Sequence, residues 1–197
     1  MFRRVAPDLV IDGGANRGQF ALACLSLLPR VPLHSFEPIP SEADVYRMAV
    51  PKANHRILHP FALGESEGRA EIHLSARRDC SSLLPIGDLQ ARIFPDSGEI
   101  GTLAVQVKRL DDLFMLWRHA RRILLKLDVQ GFELSVLKGS SNALKHCQCV
   151  YCECSEVELY QGQPLWRDIR DFLGDHGFRP VMTLNEFRSC GRLIQAD

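Results

Sequence analysis

No charge of either sign dominates this 197-residue chain: 24 Lys and Arg stand against 24 Asp and Glu, and no basic run breaks the balance. A protein that grips nucleic acid by charge carries a basic surplus, so a generic nucleic-acid partner is excluded. Long apolar runs are absent too. The longest nearly apolar stretch, Phe20 to Leu28, is about half of the roughly 20 residues a membrane span requires. The opening MFRRVAPDLV holds two arginines but reaches Asp8 and Asp12 before an apolar region develops, so it does not read as a secretory signal, and a cytoplasmic location is the expectation. A disulfide framework is lacking as well: seven cysteines at irregular spacing, in a chain large enough to bury its own core, suit reduced thiols. There is no internal repeat and no low-complexity segment, which leaves one ordinary globular domain over 1–197.

What is present begins with LVIDGGANRGQF, residues 9 to 20: a short buried strand, a glycine turn and a helical pattern. Pro29 ends that helix. PLHSFEP (32–38) reads as a second strand, Ser41 as the cap of a helix reaching Val50, and HRILHPFAL (55–63) as a third strand. With right-handed crossovers this βαβαβ run gives a parallel sheet in order 3-2-1. Beyond Gly64, GRAEIHLS and LAVQVKRL alternate with period two and flank an irregular insertion, 76–102. Then follow a helix over 111–120, a buried strand at 122–129, a helix over 131–146, a strand at 149–155, and an amphipathic helix from Pro164 to His176 stopped by Gly177. FRPVMTL (178–184) and CGRLIQA (190–196) complete the chain as an antiparallel pair.

The glycines of the first turn let a ligand approach the main chain where a helix N-terminus offers unpaired N–H groups. The dinucleotide fingerprint needs G-x-G-x-x-G, and Gly14, Asn16 and Gly18 fall at G-x-N-x-G instead; no Lys-Ser/Thr completes a P-loop either. Glu37 ends the second strand, where a carboxylate can accept hydrogen bonds from both hydroxyls of a ribose. A ribose-binding carboxylate beside a glycine turn without phosphate chemistry points to a nucleoside lacking a pyrophosphate, of which S-adenosylmethionine is the common example.

The stretches VIDGGANRGQF, FEPIPSEA, HPFALGESEGRAEIHLS, SSLL, VKRLDDLF, LLKLDVQGFELSVLKGS and YCECS, in this order, resemble the successive motifs of the FkbM family of S-adenosylmethionine-dependent methyltransferases, over about residues 8 to 184. The run Lys126 to Gly139 is the most specific of them. The resemblance implies an α/β, Class I methyltransferase, Rossmann-like sheet in strand order 3-2-1-4-5-7-6 with strand 7 antiparallel and helices on both faces. It also implies methyl transfer to a hydroxyl oxygen, often on a sugar or a polyketide. Two departures stand out: Gln130 occupies a position that is usually Glu, and the chain starts at the first strand, so N-terminal helices over the cofactor are expected to be missing or minimal.

On these readings the residues expected to hold the cofactor are Asp12, Gly14, Asn16, Gly18, Glu37, Pro38, Ala62, Leu63 and Asp128. Methyl transfer to an aliphatic hydroxyl needs alignment and a base for the proton. Asp128 ends the fourth strand, Glu133 opens the next helix and Glu153 ends the fifth strand; Asp128 is expected to position cofactor or acceptor, with Glu133 or Glu153 as base. Asp79, Ser81 and Ser82 in the insertion are the candidates for acceptor contact, the insertion itself serving as a lid. A competing mechanism would use Mg²⁺ on Asp128, Glu153 and Asp79. The expected partner is a small hydroxylated acceptor, and the expected state a monomer or homodimer.

Two readings from other classes compete. One is a methyltransferase fold that binds cofactor without turnover. The other is a zinc protein using Cys147, Cys149, Cys152 and Cys154, which strand alternation opposes by sending Cys149 to one face and Cys152 and Cys154 to the other.

Overall fold

The chain is described from a computed structural model of residues 5–197, the side chain of Phe114 excepted; the opening arginines Arg3 and Arg4 lie outside the described residues. Strand β1 (Leu9–Gly13) is buried throughout, and its alternating side chains feed two cores. Leu9 and Ile11 enter one apolar cluster, Val10 the other, which is the period-two consequence of a strand covered on both faces. The same division recurs in β7 (Ile123–Leu127), where Ile123, Leu125 and Leu127 face the first cluster and Leu124 the second. Each such side chain, fully buried, contributes about 1.5–3 kcal/mol.

Helix α1 (Gln19–Leu27) and helix α2 (Pro40–Ala49) cover the second cluster through Ala21, Cys24 and Tyr46. Between them runs β2 (Leu33–Phe36), and after them β3 (Arg56–His59). Helix α4 (Glu133–Lys138) and helix α5 (Trp166–Asp175) cover the first cluster through Val136, Leu137 and Ile169. The main sheet is parallel in order β3-β2-β1-β7-β8, with β8 spanning Cys147–Cys152. This realises the expected 3-2-1-4-5 portion with helices on both faces.

A second sheet, order β4-β6-β5, is built from β4 (Ala62–Leu63), β5 (Gly68–Ser75) and β6 (Glu99–Lys108). The two period-two segments are its antiparallel pair. A third sheet, order β10-β11-β9, joins β9 (Cys154–Ser155) to the hairpin of β10 (Phe187–Ser189) and β11 (Arg192–Ala196). Only the last strand of the expected order is therefore formed, as β11, and it lies antiparallel to β9 in a separate small sheet instead of extending the main one; the strand expected at 178–184 is not formed.

Several boundaries differ from the sequence reading for identifiable reasons. Helix α2 begins at Pro40 with Ile39 as its cap, because proline suits the first helical position, and the Ser41 hydroxyl goes to Glu42 instead of a backbone N–H. The segment 111–116 is a 3₁₀ turn, and the helix expected over 131–146 is only α4 followed by a 3₁₀ turn at 143–146. At Gly139, which ends α4, a Cβ would lie 2.0 Å from the Gly64 carbonyl oxygen, so close backbone approach interrupts the helix there. The stretch 178–184 forms no strand; Pro180 lacks a donor, Phe178 donates back to the Leu173 carbonyl, and Leu184 exchanges backbone hydrogen bonds with Asp197. The hairpin instead turns at Cys190 and Gly191, both left-handed (φ 48° and 78°), as a two-residue turn requires.

The insertion 76–102 is not structureless. It contains a 3₁₀ turn at Arg78–Cys80, helix α3 (Asp88–Ile93) and the start of β6. Its Leu84, Ile86, Ile93 and Phe94 pack against Val157, Leu159, Tyr160 and Ile194. Among the described residues no helix is long and apolar enough to cross a membrane.

Candidate active site

The turn after β1 is shaped by one close approach. Gly14 is left-handed (φ 74°), and a Cβ there would sit 1.8 Å from the Asp128 carbonyl oxygen, so the ends of β1 and β7 can lie side by side only with glycine. Gly18 (φ 90°) works differently: a Cβ would meet Val50 and Tyr46, so this glycine lets α1 close on α2. It is not among the cavity residues.

Glu37, just past β2, is buried, and its two carboxylate oxygens accept from the backbone N–H groups of Asn16 and Ile39, each at 2.8 Å. These bonds tie the strand end to the glycine turn. Burial pushes the Glu37 carboxyl up to about 7, against the pull of those two N–H groups.

Beneath the turn a lysine occupies the middle of an apolar strand. The Lys126 ammonium donates to the carbonyls of Gly14 (2.8 Å) and Gly13 (3.3 Å), and lies 3.1 Å from Asp12 and 3.7 Å from Asp128. Burial opposes its charge, but the Asp12 and Asp128 carboxylates outweigh that and hold it above the ordinary lysine range. Asp12 is fully buried and does not reach the cavity; its contact is Lys126, and through Lys126 it supports the turn.

The loop after β7 gathers the candidate carboxylates. Asp128 accepts from the Gln130 amide at 2.8 Å, and the same amide nitrogen donates to Glu153 at 2.9 Å. Glu133 is buried, and its Oε1 accepts from the backbone N–H groups of Val129 (2.9 Å) and Gly131 (3.2 Å), so this carboxylate braces the loop. Burial pushes Glu133 up to about 7 despite those donors. Glu153 is pushed well above the ordinary glutamate range by burial and then by the charges of Asp128 and Glu133.

One cavity of about 400 Å³, within the range of small-molecule sites, collects these parts. From the expected cofactor set it takes Gly14, Asn16, Glu37, Pro38, Ala62, Leu63 and Asp128; from the acceptor set, Asp79, Ser81 and Ser82. Asp12, Gly18, Glu133 and Glu153 lie outside its lining. A larger cavity of about 590 Å³ along β8 and α5 holds none of the expected cofactor, acceptor or base residues. A buried carboxylate at a strand end, the main chain of the Gly14–Asn16 turn in the cavity wall, and apolar Phe36, Ile39 and Leu63 between them fit the nucleoside half of S-adenosylmethionine.

Within the insertion the three polar candidates are unequal. Asp79 is half-exposed and held by Arg77 at 3.0 and 3.3 Å. Ser81 accepts from the Ser75 N–H, while Ser82 is buried and donates to the Gln130 carbonyl at 2.6 Å, fastening the insertion to the loop after β7. Arg78, also in the lining, pairs with buried Glu42, which holds Arg17 of the glycine turn as well. Sequence reasoning passed over Lys126, Gln130 as a donor, Arg78 and Tyr160. A lone lysine inside RILLKLDV was a readable signal for the first; nothing in the sequence marked Tyr160, whose hydroxyl donates to Gln130 at 2.6 Å.

For the metal alternative, the place between Asp128 and Glu153 is taken by the Gln130 amide, and Asp79 is paired with Arg77. Among the described residues no three His, Cys, Asp or Glu side chains are grouped to hold an ion. Cys149 joins the α1/α2 side and Cys152 and Cys154 the other, as alternation demands, while Cys147 joins the latter side because the register shifts between it and Cys149. Burial pushes the Cys147 thiol up to about 12, away from the thiolate that zinc binds.

A family model described as the Methyltransferase FkbM domain matches residues 12–180. The 2-O-methyltransferase NoeI of Sinorhizobium fredii is 30% identical over 184 residues, covering 85% of this chain and 72% of that protein. Methyltransferase 1 of Beauveria bassiana is 26% identical over 150 residues, covering 68% of this chain and 59% of that one. The solved structure of human N-acetylserotonin methyltransferase in complex with SAM aligns with a TM-score of 0.43 at 13% identity, over 98% of this chain and 48% of the other. This chain belongs to the FkbM family of S-adenosylmethionine-dependent methyltransferases.

Proposed function

We propose that this protein methylates a hydroxyl oxygen of a small molecule, on a sugar, a polyketide or another metabolite. The observation that carries the reading is that a single cavity joins the glycine turn and Glu37 to Asp128 and to the polar residues 79–82 of the insertion. Similarity to a protein named as a 2-O-methyltransferase supports oxygen as the acceptor atom. S-adenosylmethionine, when bound, supplies an activated methyl group. The chain's own residues divide the remaining work: Glu37 accepts the ribose hydroxyls, the Gly14–Asn16 turn admits the cofactor to the main chain, and Asp128 takes the acceptor's proton as the new O–C bond forms and the C–S bond breaks. Asp128 suits that role better than Glu153 or Glu133 because its carboxylate lines the cavity and is 40% exposed, whereas Glu133 is spent on backbone N–H groups and Glu153 lies behind the Gln130 amide.

Residues 76–102 act as the cover of the acceptor side within a single domain, as supported by Leu83 in the cavity lining and the Ser82–Gln130 bond. Limited proteolysis should reach this segment more slowly once cofactor and acceptor are both present; equal cutting with and without them would remove the cover. A cytoplasmic location agrees with seven cysteines that form no disulfide.

The direct test is transfer of a labelled methyl group from S-adenosylmethionine to a panel of methyl glycosides and other small alcohols. Calorimetry accompanies it. Glu37→Ala should weaken S-adenosylmethionine by about 1–3 kcal/mol, the scale of lost hydrogen bonds to a charged group. The pH dependence has a definite sign. A folded-state value near 7, above the ordinary glutamate 4.5, means the free protein keeps a proton that the unfolded chain has released, so this group lowers stability as pH rises between those values. Ribose hydroxyls donate best to the ionised form, so affinity should rise with pH up to about 7 and then level. A flat profile, or Glu37→Ala binding like the parent, would remove Glu37 from the site.

A further inference from the structure

Gln130, singled out in the sequence only as a departure from the usual glutamate, joins several parts of the site. Its Nε2 donates to Asp128 (2.8 Å) and to Glu153 (2.9 Å), its Oε1 accepts from the Tyr160 hydroxyl (2.6 Å), and its backbone carbonyl accepts from the Ser82 hydroxyl (2.6 Å). Partners 2, 23, 30 and 48 residues away in sequence meet at this one side chain and its peptide. Its backbone is left-handed (φ 55°), followed by Gly131 at 93°, a conformation disfavoured for a residue with a side chain and kept only where surrounding contacts determine it.

The chemistry at this position is directional. Asp128 and Glu153 both turn a carboxyl oxygen toward this position, so a side chain placed between them must bring donors, and an amide brings two N–H groups from one end. The other end must then find a donor of its own. Tyr160 supplies it, and the tyrosine hydroxyl in turn receives the Gln90 amide at 3.3 Å. The flipped amide would set oxygen against both carboxyl groups and lose those two contacts, and would leave the Tyr160 proton only the longer bond to the Cys80 carbonyl at 3.1 Å. A glutamate here would meet Asp128 and Glu153 with no proton to offer. Asp128 also has a competing partner, since the Lys126 ammonium lies 3.7 Å away on the inner side; a carboxylate released by the amide can turn inward and close that distance.

We infer that Gln130 is a positioning residue, whose amide spans Asp128 and Glu153 to keep the Asp128 carboxylate facing the cavity, with Tyr160 setting the direction of the amide. The inference rests on the reading that S-adenosylmethionine occupies this cavity, and it assigns a specific task to the departure from the usual glutamate. It also gives the buried Tyr160, otherwise a core residue, a connection to the site through one atom.

The sulfonium of S-adenosylmethionine is positive, and the sulfur of S-adenosylhomocysteine is neutral, so the ratio of their affinities reports how the Asp128 carboxylate faces the cavity and needs no acceptor. Both ligands are titrated calorimetrically into the full chain and into Gln130→Met, Tyr160→Phe and the double variant, with thermal melts to verify folding. Gln130→Met should lower the ratio of S-adenosylmethionine to S-adenosylhomocysteine affinity roughly tenfold, the scale of a lost charge-assisted hydrogen bond. Tyr160→Phe, a volume-conserving change, should lower it by about threefold, and the double variant should fall no further than Gln130→Met alone, because the hydroxyl acts through the amide. Should Gln130→Met not fold, the Tyr160→Phe ratio decides. An unchanged ratio in the folded variants, or equal loss of both ligands, would overturn the assignment, since a purely structural role weakens both alike. Additive effects in the double variant would sever Tyr160 from it. A parent protein that bound neither ligand would overturn the cofactor reading and this inference with it, whereas a parent that binds both, with variants of unchanged ratio, overturns this inference alone.

Discussion

Replacing Asp128 by asparagine is expected to lower methyl transfer to a hydroxylated acceptor by about 10²–10⁴-fold, the usual contribution of a positioned general base. The substitution is close to isosteric. The carbonyl end of an asparagine can still accept from the Gln130 amide, and the backbone N–H of residue 128 still donates to the Gly13 carbonyl, so the loop has every reason to stay in place. What is removed is the capacity to take a proton. S-adenosylhomocysteine, which carries no sulfonium charge, should therefore bind with an affinity within about threefold of the parent, less than one hydrogen bond's worth. Glu153→Gln should cost much less activity, because Glu153 is outside the cavity lining and keeps a bond to the same amide. Single-turnover transfer of labelled methyl with the three proteins separates the possibilities: activity of Asp128→Asn within about tenfold of the parent would deny Asp128 the base role, and a larger loss in Glu153→Gln would hand that role to Glu153.

The parts of this architecture that were legible share a property: each is dictated by neighbours close in sequence. LVID and ILLKL read as buried strands because every residue but one or two is apolar or small, and both proved fully buried. The 3-2-1 half of the parallel sheet was read from the βαβαβ run with right-handed crossovers, and its 4-5 half came with the family resemblance. Glu37 was readable from its place at the end of a strand after a glycine turn. The glycines show where this stops. Gly14 and Gly18 belong to one motif and are both left-handed, yet one admits the Asp128 backbone and the other admits Val50 and Tyr46. The difference lies in what arrives from elsewhere in the chain, and no local pattern encodes that.

The same limit governs the carboxylates. Asp128, Glu133 and Glu153 all sit at strand ends or a helix start, and the sequence reading gave Asp128 to positioning and left the base as either Glu133 or Glu153. Three-dimensional packing assigns them to a cavity, to two backbone N–H groups and to a shared amide respectively. The segment 178–184 misled for a related reason: its alternation suits a strand, but a strand needs a partner edge and donors, and this stretch contains Pro180, turns Phe178 back to Leu173 and pairs through Leu184. The insertion illustrates the converse. Its apolar residues were legible as residues that must bury something, and what they bury against, Val157 to Tyr160 and Ile194, comes from the far end of the chain.

Lys126→Met is expected to be the most destabilising single change at the site, by about 3–5 kcal/mol, the cost of stripping the partner from a buried charge. For a chain of this length that corresponds to a fall in Tm of roughly 6–20 °C. Methionine replaces most of the lysine stem and can pack near the Phe20 ring, which lies 5.7 Å from the ammonium, so loss of volume is not the cause. The cause is Asp12. Its side chain is fully buried; Oδ1 faces the ammonium at 3.1 Å but has no aligned hydrogen bond, and Oδ2 has only the Ser35 hydroxyl at 3.5 Å. Burial already pushes the Asp12 carboxyl upward against the pull of Lys126, and without that pull the proton is held more tightly still. A carboxyl whose folded-state value is raised costs stability as pH climbs above its unfolded value, so the deficit of Lys126→Met should shrink as pH is lowered toward the ordinary carboxylate range. Adding Asp12→Asn should restore part of the loss by removing the stranded charge. The turn suffers independently, because the carbonyls of Gly13 and Gly14 lose their shared donor, and cofactor affinity should drop even at temperatures where the variant is folded. Denaturant unfolding across pH, with the single and double variants side by side, measures the whole effect; a loss below about 1 kcal/mol at neutral pH would mean that the buried pair merely breaks even with an apolar side chain and that the turn holds its shape without it.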